Sequence, residues 1–165
     1  MAQRNPAALG NAWFISELKW VDNADQEIDA IANLDPAKTA VADKRFESVL
    51  PKTTTAHDST STVVETSYSP NKLVYKSHSA TPGVVVFSEV YYPGWKATVD
   101  GKEVEIGRVN YILRALQLPA GDHEIVFTFI PKTISMTETV AYSAMGILLL
   151  SILGYIFIGR KKEQE

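Results

Sequence analysis

No cysteine occurs among the 165 residues, so no disulfide staples this chain, no Cys-ligated zinc organises it and no thiolate serves as a nucleophile. Histidine is scarce as well. His57, His78 and His123 stand apart, none beside a ligand-spaced partner, and no metal site is expected. Positive charge is not in excess: 16 Lys and Arg face 19 Asp and Glu, a net charge of −3. A general nucleic-acid binder needs a basic face to displace counterions, so no nucleic-acid partner is expected. The chain also lacks a P-loop, a dinucleotide fingerprint and a nucleophile elbow. No cofactor and no catalytic residue is therefore assigned. What the chain does have is 45% hydrophobic and 21% charged residues, enough apolar material for one globular core.

A mean hydropathy of −0.05 conceals one membrane-like stretch. Residues 140–158, VAYSAMGILLLSILGYIFI, carry no charge in 19 positions, and as a helix they reach about 28 Å, close to the hydrocarbon thickness of a bilayer. A buried core helix would keep a polar face, and this stretch has none. The lipid bilayer is thus expected as a partner through 140–158. Arg160-Lys161-Lys162 follow, and the positive-inside bias places the C-terminus in the cytoplasm and residues 1–139 outside it. Met1-Ala2-Gln3-Arg4-Asn5-Pro6 is not followed by an apolar signal core. Export is then expected from earlier helices of a longer polytopic protein. A tail-anchored protein facing the cytoplasm is the alternative, and it runs against the charge bias. Residues 1–139 carry 13 basic and 17 acidic side chains, a net −4, so anionic headgroups do not attract them and the helix is the main anchor.

The rest reads as mainly β, an antiparallel β-sandwich (jelly-roll-like) with a short N-terminal helix and a C-terminal transmembrane helix. Phe14, Leu18 and Trp20 alternate with Glu17 and Lys19 as in a half-buried strand. Asn23 and Gln26 offer a capping box, and Val21, Ala24, Ile28 and Ile31 follow at helical spacing until Asp35-Pro36. A short strand is expected around Ala40-Val41-Ala42. Residues 48–62 hold eight Ser or Thr in fifteen positions, a loop too polar to pack. His57-Asp58-Ser59 lies in it, but neighbours on one loop cannot converge as a hydrolase triad must. Strands are then expected at 63–68, 73–78, 84–87, 109–118 and 123–130, with 84–87 apolar on both faces as in a covered central strand. Asp100-Gly101 is a hairpin signal between 95–99 and 102–106. That register pairs Val99 with Lys102, Lys96 with Glu105, and Trp95 with Ile106. It gathers Trp95, Ala97, Val99, Val104 and Ile106 on one apolar face. The expected division is 1–46, a strand–helix–strand segment joining the sandwich; 47–62, a linker; 63–133, the sandwich; 134–159, the membrane helix; and 160–165, a cytoplasmic tail.

Aromatic residues mark the candidate site. Tyr91, Tyr92 and Trp95 surround Pro93-Gly94, with Tyr111 and Arg114 further along. Ring faces beside polar groups stack on sugars, so Tyr91, Tyr92, Tyr111 and Arg114 are candidate glycan contacts. Trp95 is expected in the core opposite Ile106. Tyr91 and Tyr92 occupy consecutive positions, which in a strand sends at most one inward. Glu89 interrupts an apolar run and reads as a strand-end acid with a partner such as Arg114, the alternative being a buried acid with a raised pKa.

The stretch 91–101, YYPGWKATVDG, with Arg108-Val109-Asn110-Tyr111, Pro119-Ala120-Gly121-Asp122-His123 and the helix ending in Arg-Lys-Lys, resembles the C-terminal region of YfhO-like bacterial membrane proteins. Asn11-Ala12-Trp13-Phe14 and Val21-Asp22-Asn23-Ala24 are similar to that family too. Such proteins are similar to the GT-C glycosyltransferases, which use polyprenyl-phosphate sugars outside the cytoplasm and keep their catalytic acid in an early loop that this chain lacks. The resemblance implies an extracytoplasmic accessory domain and last membrane helix of a glycosyltransferase acting on cell-envelope glycans or glycopolymers, in the bacterial cell membrane. The remainder of the polytopic protein and an envelope glycan are the implied partners, and this chain is not catalytic alone. A membrane-anchored glycan- or protein-binding module without catalysis is the competing reading.

Overall fold

The computed structural model describes residues 8–52 and 60–162, with side chains for all of these except 132–135 and 156–162. His57-Asp58-Ser59 and most of the Ser/Thr-rich loop lie outside the described residues. The chain divides into two units, Met1–Ile130 and Pro131–Glu165.

In the first unit, a four-stranded sheet has the order β1-β6-β10-β9, and a five-stranded sheet the order β4-β5-β11-β7-β8. The four-stranded sheet comprises β1 (Ala12–Ile15), β6 (Gly83–Val90), β9 (Gly107–Val109) and β10 (Leu113–Leu118). The five-stranded sheet comprises β4 (Thr62–Ser69), β5 (Lys72–Ser79), β7 (Trp95–Val99), β8 (Lys102–Val104) and β11 (Gly121–Phe129). All pairings in both sheets are antiparallel. A third layer is a parallel pair, β2 (Glu17–Val21) with β3 (Thr39–Asp43), connected through helix α1 (Ala24–Ile31).

Two apolar cores follow from strand alternation. Val85 and Phe87 of β6 face the five-stranded sheet, where they meet Tyr75, Phe127 and Ile125. The Tyr75, Phe87 and Phe127 rings meet edge to face, with centroids 4.8–6.1 Å apart. Val84 and Val86 face the other way, onto Leu18, Ala40 and Ala42 of the parallel pair. The central strand is apolar on both faces because both faces are covered. Gly107 is required by this packing, since a Cβ there would sit 2.5 Å from Leu50 Cγ.

Three expectations change. The 14–20 stretch is two strands, not one. The chain breaks at Ser16, whose N–H donates to Lys38 O at 2.7 Å, so β1 joins the sandwich and β2 the third layer. The 109–118 strand is also two. Asn110 and Tyr111, at φ 49° and 69°, fold the chain back between β9 and β10. On α1 the buried face is not the one marked by Ile28, which is 48% exposed; Glu27 is fully buried instead.

The hairpin matches its register at Val99↔Lys102, Thr98↔Glu103 and Ala97↔Val104, with Asp100 and Gly101 at φ 51° and 78° as a type I′ turn needs. It stops there, because β9 leaves for the other sheet. Lys96 consequently reaches Glu103 at 2.7 Å rather than Glu105. Asp100 also caps the turn: Oδ1 accepts from Glu124 N–H at 2.9 Å, and Oδ2 lies 2.6 Å from His123 Nδ1.

The second unit is helix α2 (Lys132–Lys162). Its stretch Met136–Tyr155 is long and apolar enough to cross a membrane, and none of it is buried by protein. Ser143 and Ser151 hydroxyls donate to the carbonyls four residues before them, at 2.7 and 2.8 Å, so neither leaves an unsatisfied donor on this apolar helix.

The Asp100 hydrogen bond raises the pKa of His123. Its contribution to stability is complete below about pH 6.5 and is lost as pH rises through the raised folded value. All three tryptophans, Trp13, Trp20 and Trp95, lie in the first unit, so tryptophan emission reports its unfolding. In urea titrations of the full chain in detergent, the stability gap between wild type and His123→Gln should be wide at pH 6 and narrow at pH 9. An unchanged gap would mean the pair contributes nothing.

Candidate functional site

The end of the sandwich where β6 finishes and β7 begins carries a cleft of about 680 Å³, within the usual range for small-ligand sites. Pro93-Gly94 creates it. Gly94 adopts φ 100°, a conformation a side chain would strain, and turns the chain from one sheet to the other. Tyr91, Tyr92 and Trp95 line the cleft with Phe46, and Arg114 is the one lining residue that is buried. Tyr91 and Tyr92 both follow the end of β6, so strand alternation does not apply to them and both are exposed. The Tyr91 ring meets Phe46 edge-on at 5.6 Å, while Tyr92 tilts toward Phe129 at 6.3 Å. Trp95 is half-buried, 5.3 Å from Phe129.

Arg114 is an unusual floor for such a cleft, being 2% exposed in an otherwise apolar core. Its guanidinium lies 4.1 Å from the Trp95 ring centroid and 5.3 Å from that of Phe127, cation–π contacts with two neighbouring strands of the facing sheet. Nε donates to Val90 O at 2.9 Å, and Nη1 has no hydrogen-bond partner. Burial pulls its pKa down, with the Glu89 charge opposing that shift. Among the described residues no ion pair within 4 Å joins Arg114 to Glu89, so the expected pairing is a field effect and not a contact.

Tyr111 does not line the cleft. Its ring lies 5.2 Å from the Arg108 guanidinium, and its N–H donates to Glu27 Oε1 at 2.8 Å. Of the four candidate contacts, the fold gathers Tyr91, Tyr92 and Arg114 and sets Tyr111 in a neighbouring polar node. The sequence pattern does not announce that node. Glu27, fully buried, also accepts from Arg108 Nη2 at 2.6 Å. Asn110 Oδ1 accepts from Val41 N–H at 2.9 Å, and Asn110 N–H donates to Val41 O at 2.7 Å. The one available signal is Asn-Tyr after Arg108, since Asn tolerates φ > 0 and bonds locally.

The cleft wall includes Arg45, held by Asp43. Asp43 accepts from Arg45 Nε at 2.9 Å, from its Nη2 at 2.7 Å and from its backbone N–H at 2.9 Å, which keeps the Asp43 carboxyl below its ordinary pKa. Lys96 and Glu103 pair at the rim. This arrangement offers ring faces, hydroxyls and paired charges. Among the described residues no three His, Cys, Asp or Glu side chains could hold a metal ion.

Removing the Glu27 carboxylate leaves the half-buried Arg108 and the Tyr111 N–H without their partner. Glu27→Ala should destabilise the first unit by about 3–5 kcal/mol, the scale for one half of a buried pair. Urea denaturation followed by tryptophan emission measures this, and a loss below about 1 kcal/mol would show that the node is dispensable.

The family model described as "Bacterial membrane protein YfhO" matches residues 45–141, a stretch that contains the whole cleft and excludes Glu27. No curated protein and no solved structure matches.

Proposed function

The chain belongs to the YfhO family of bacterial membrane proteins, and from that premise we propose that it is an accessory domain, outside the cytoplasm, of a membrane glycosyltransferase acting on cell-envelope glycans or glycopolymers. Its role is to hold a glycan, not to transform it. The observation that carries this reading is the cleft: two exposed tyrosines, a half-buried tryptophan and a buried guanidinium converge on one opening of about 680 Å³. Sugars present C–H faces that stack on aromatic rings and hydroxyls that need donors and acceptors nearby. The paired charges at the rim supply the latter without a dominant sign. Catalysis would reside elsewhere in the parent protein, which would supply the lipid-linked sugar site. The orientation rests on Arg160-Lys161-Lys162 after the apolar stretch.

Binding separates the cleft residues by role. Tyr92 is the more exposed tyrosine, so Tyr92→Ala should weaken binding of isolated cell-wall polysaccharide several-fold while leaving the urea midpoint nearly unchanged. Trp95→Ala should instead lower stability by about 3–5 kcal/mol, because it removes a ring packed against Phe129 and Arg114. Wild-type protein that binds no glycan, or a stable Trp95→Ala that has lost binding, would overturn this assignment.

Orientation has its own test. A phosphatase reporter, active only outside the cytoplasm, should be silent when fused after Glu165, and a cytoplasm-only fluorescent reporter there should be bright. The reverse pattern would place the sandwich in the cytoplasm and remove it from envelope glycans.

A further inference from the structure

The sandwich is not evenly coated. Among the described residues of the first unit, nine large hydrophobic side chains are exposed, and seven of them sit at one end. Tyr68, Val90, Tyr92, Tyr111, Ile112 and Ile130 all belong to turns or strand termini at that end, together with Tyr91 of the cleft. The backbone binds these segments to one another. Tyr91 N–H donates to Ile112 O at 2.6 Å, Ile130 N–H to Gly94 O at 2.7 Å, and Phe129 N–H to Asn71 O at 2.9 Å. The opposite end is made of turns around Ala80-Thr81, Asp100-Gly101 and Pro119-Ala120, none of which exposes a large apolar side chain. An apolar patch confined to one end signals a surface that is covered in use.

Its chemistry narrows the cover. Four of the seven are tyrosines, whose rings are apolar and whose hydroxyls want water, the residue type enriched where hydrocarbon meets headgroups. Val90, Ile112 and Ile130, at 55%, 49% and 52% exposure, supply the aliphatic part. Covalent length supplies the rest. Ile130 is the last residue of the first unit, and Met136, which opens the apolar stretch of α2, is six residues further on. Six residues span at most about 22 Å even when fully extended. With α2 in a bilayer, the patch is tethered within reach of the lipid surface.

We propose that this end of the sandwich seats on the bilayer, with Val90, Ile112 and Ile130 in the interfacial region and the hydroxyls of Tyr68 and Tyr111, which lie outside the cleft, among the headgroups. The occupant is lipid in its neutral, zwitterionic aspect, since the net −4 of residues 1–139 gives no attraction to anionic headgroups. The inference rests on α2 crossing the membrane and is independent of glycan binding. Its aliphatic residues do not line the cleft.

The cysteine-free sequence makes the test clean. The full chain carrying Ile112→Cys, labelled with a small polarity-sensitive bimane, is reconstituted in phosphatidylcholine vesicles. A nitroxide placed high on the acyl chain should quench its emission at least about two-fold more than that of a probe at Ala80→Cys, an exposed position at the opposite end. Tyr68→Cys provides a second reporter should Ile112→Cys fail to fold, and it should be quenched likewise. Equal quenching at the two ends overturns the proposal. So does a blue-shifted Ile112 probe that the nitroxide does not quench, because a protein surface would then be the cover. Protein that fails to float with the vesicles removes the membrane-crossing premise and the proposal with it, while Tyr92→Ala would still report on the glycan reading.

Discussion

A carboxylate buried to zero exposure is the constraint around which the first unit is arranged. Desolvating Glu27 without compensation would be prohibitive, so three elements are held in register to satisfy it. Helix α1 must begin where it does. Asn23 caps it by accepting from Gln26 N–H at 3.0 Å, and Gln26 Oε1 reaches back to accept from Asp22 N–H at 3.1 Å. The β9–β10 turn must present Tyr111 N–H to the same carboxylate, and to do so it places two non-glycine residues at positive φ. Such strain persists only where neighbours over-determine it, and Asn110 is clamped on both its backbone and its side chain by Val41. The third layer is thereby fastened to the sandwich through polar contacts as well as through its apolar face.

The cleft inherits its position from that clamp. Tyr91 is placed by its bond to Ile112 O, two residues beyond Asn110, and by Phe46 at the end of the segment that Asp43 caps. On the other side the floor is set by Arg114, which occupies an inward position on β10 where Leu116 and Leu118 occupy the next ones. The Arg114 guanidinium lies against the Trp95 ring and donates through Nε to Val90 O, which ties the floor to the end of β6.

Local rules reached the parts of this fold governed by local chemistry. Asp100-Gly101 specified its hairpin because positive φ at two successive residues admits few sequences, and the register followed from a period of two. The double-faced run in β6 announced a covered strand because no polar residue breaks Val84-Val85-Val86-Phe87. The same rules misplaced what depends on distant partners. Residues 109–118 look continuous because Asn110-Tyr111 lacks the glycine of a usual tight turn; the bond to Val41, 69 positions away, makes the turn stable. Ile28 looked like the buried member of α1 because hydrophobicity scales cannot anticipate that an acid will find Arg108, 81 positions on. The tyrosines were legible as a cluster. Their division between cleft and polar node was not, since it turns on which side of that hidden turn Tyr111 falls.

A cleft with no dominant charge offers little long-range attraction to a freely diffusing ligand. Association in solution must repay the loss of translational and rotational freedom, several kcal/mol before any contact contributes. A domain joined to a membrane helix through a few residues has already met much of that requirement for anything else held at the same surface, because tethering replaces bulk concentration with an effective concentration in the millimolar range. On the glycan reading proposed above, weak stacking on Tyr92 would then suffice to bias where a polymer lies. The buried polar interactions at Glu27, Asp43 and Asn110 fix the segments beside the cleft, while its opening carries exposed rings and paired charges.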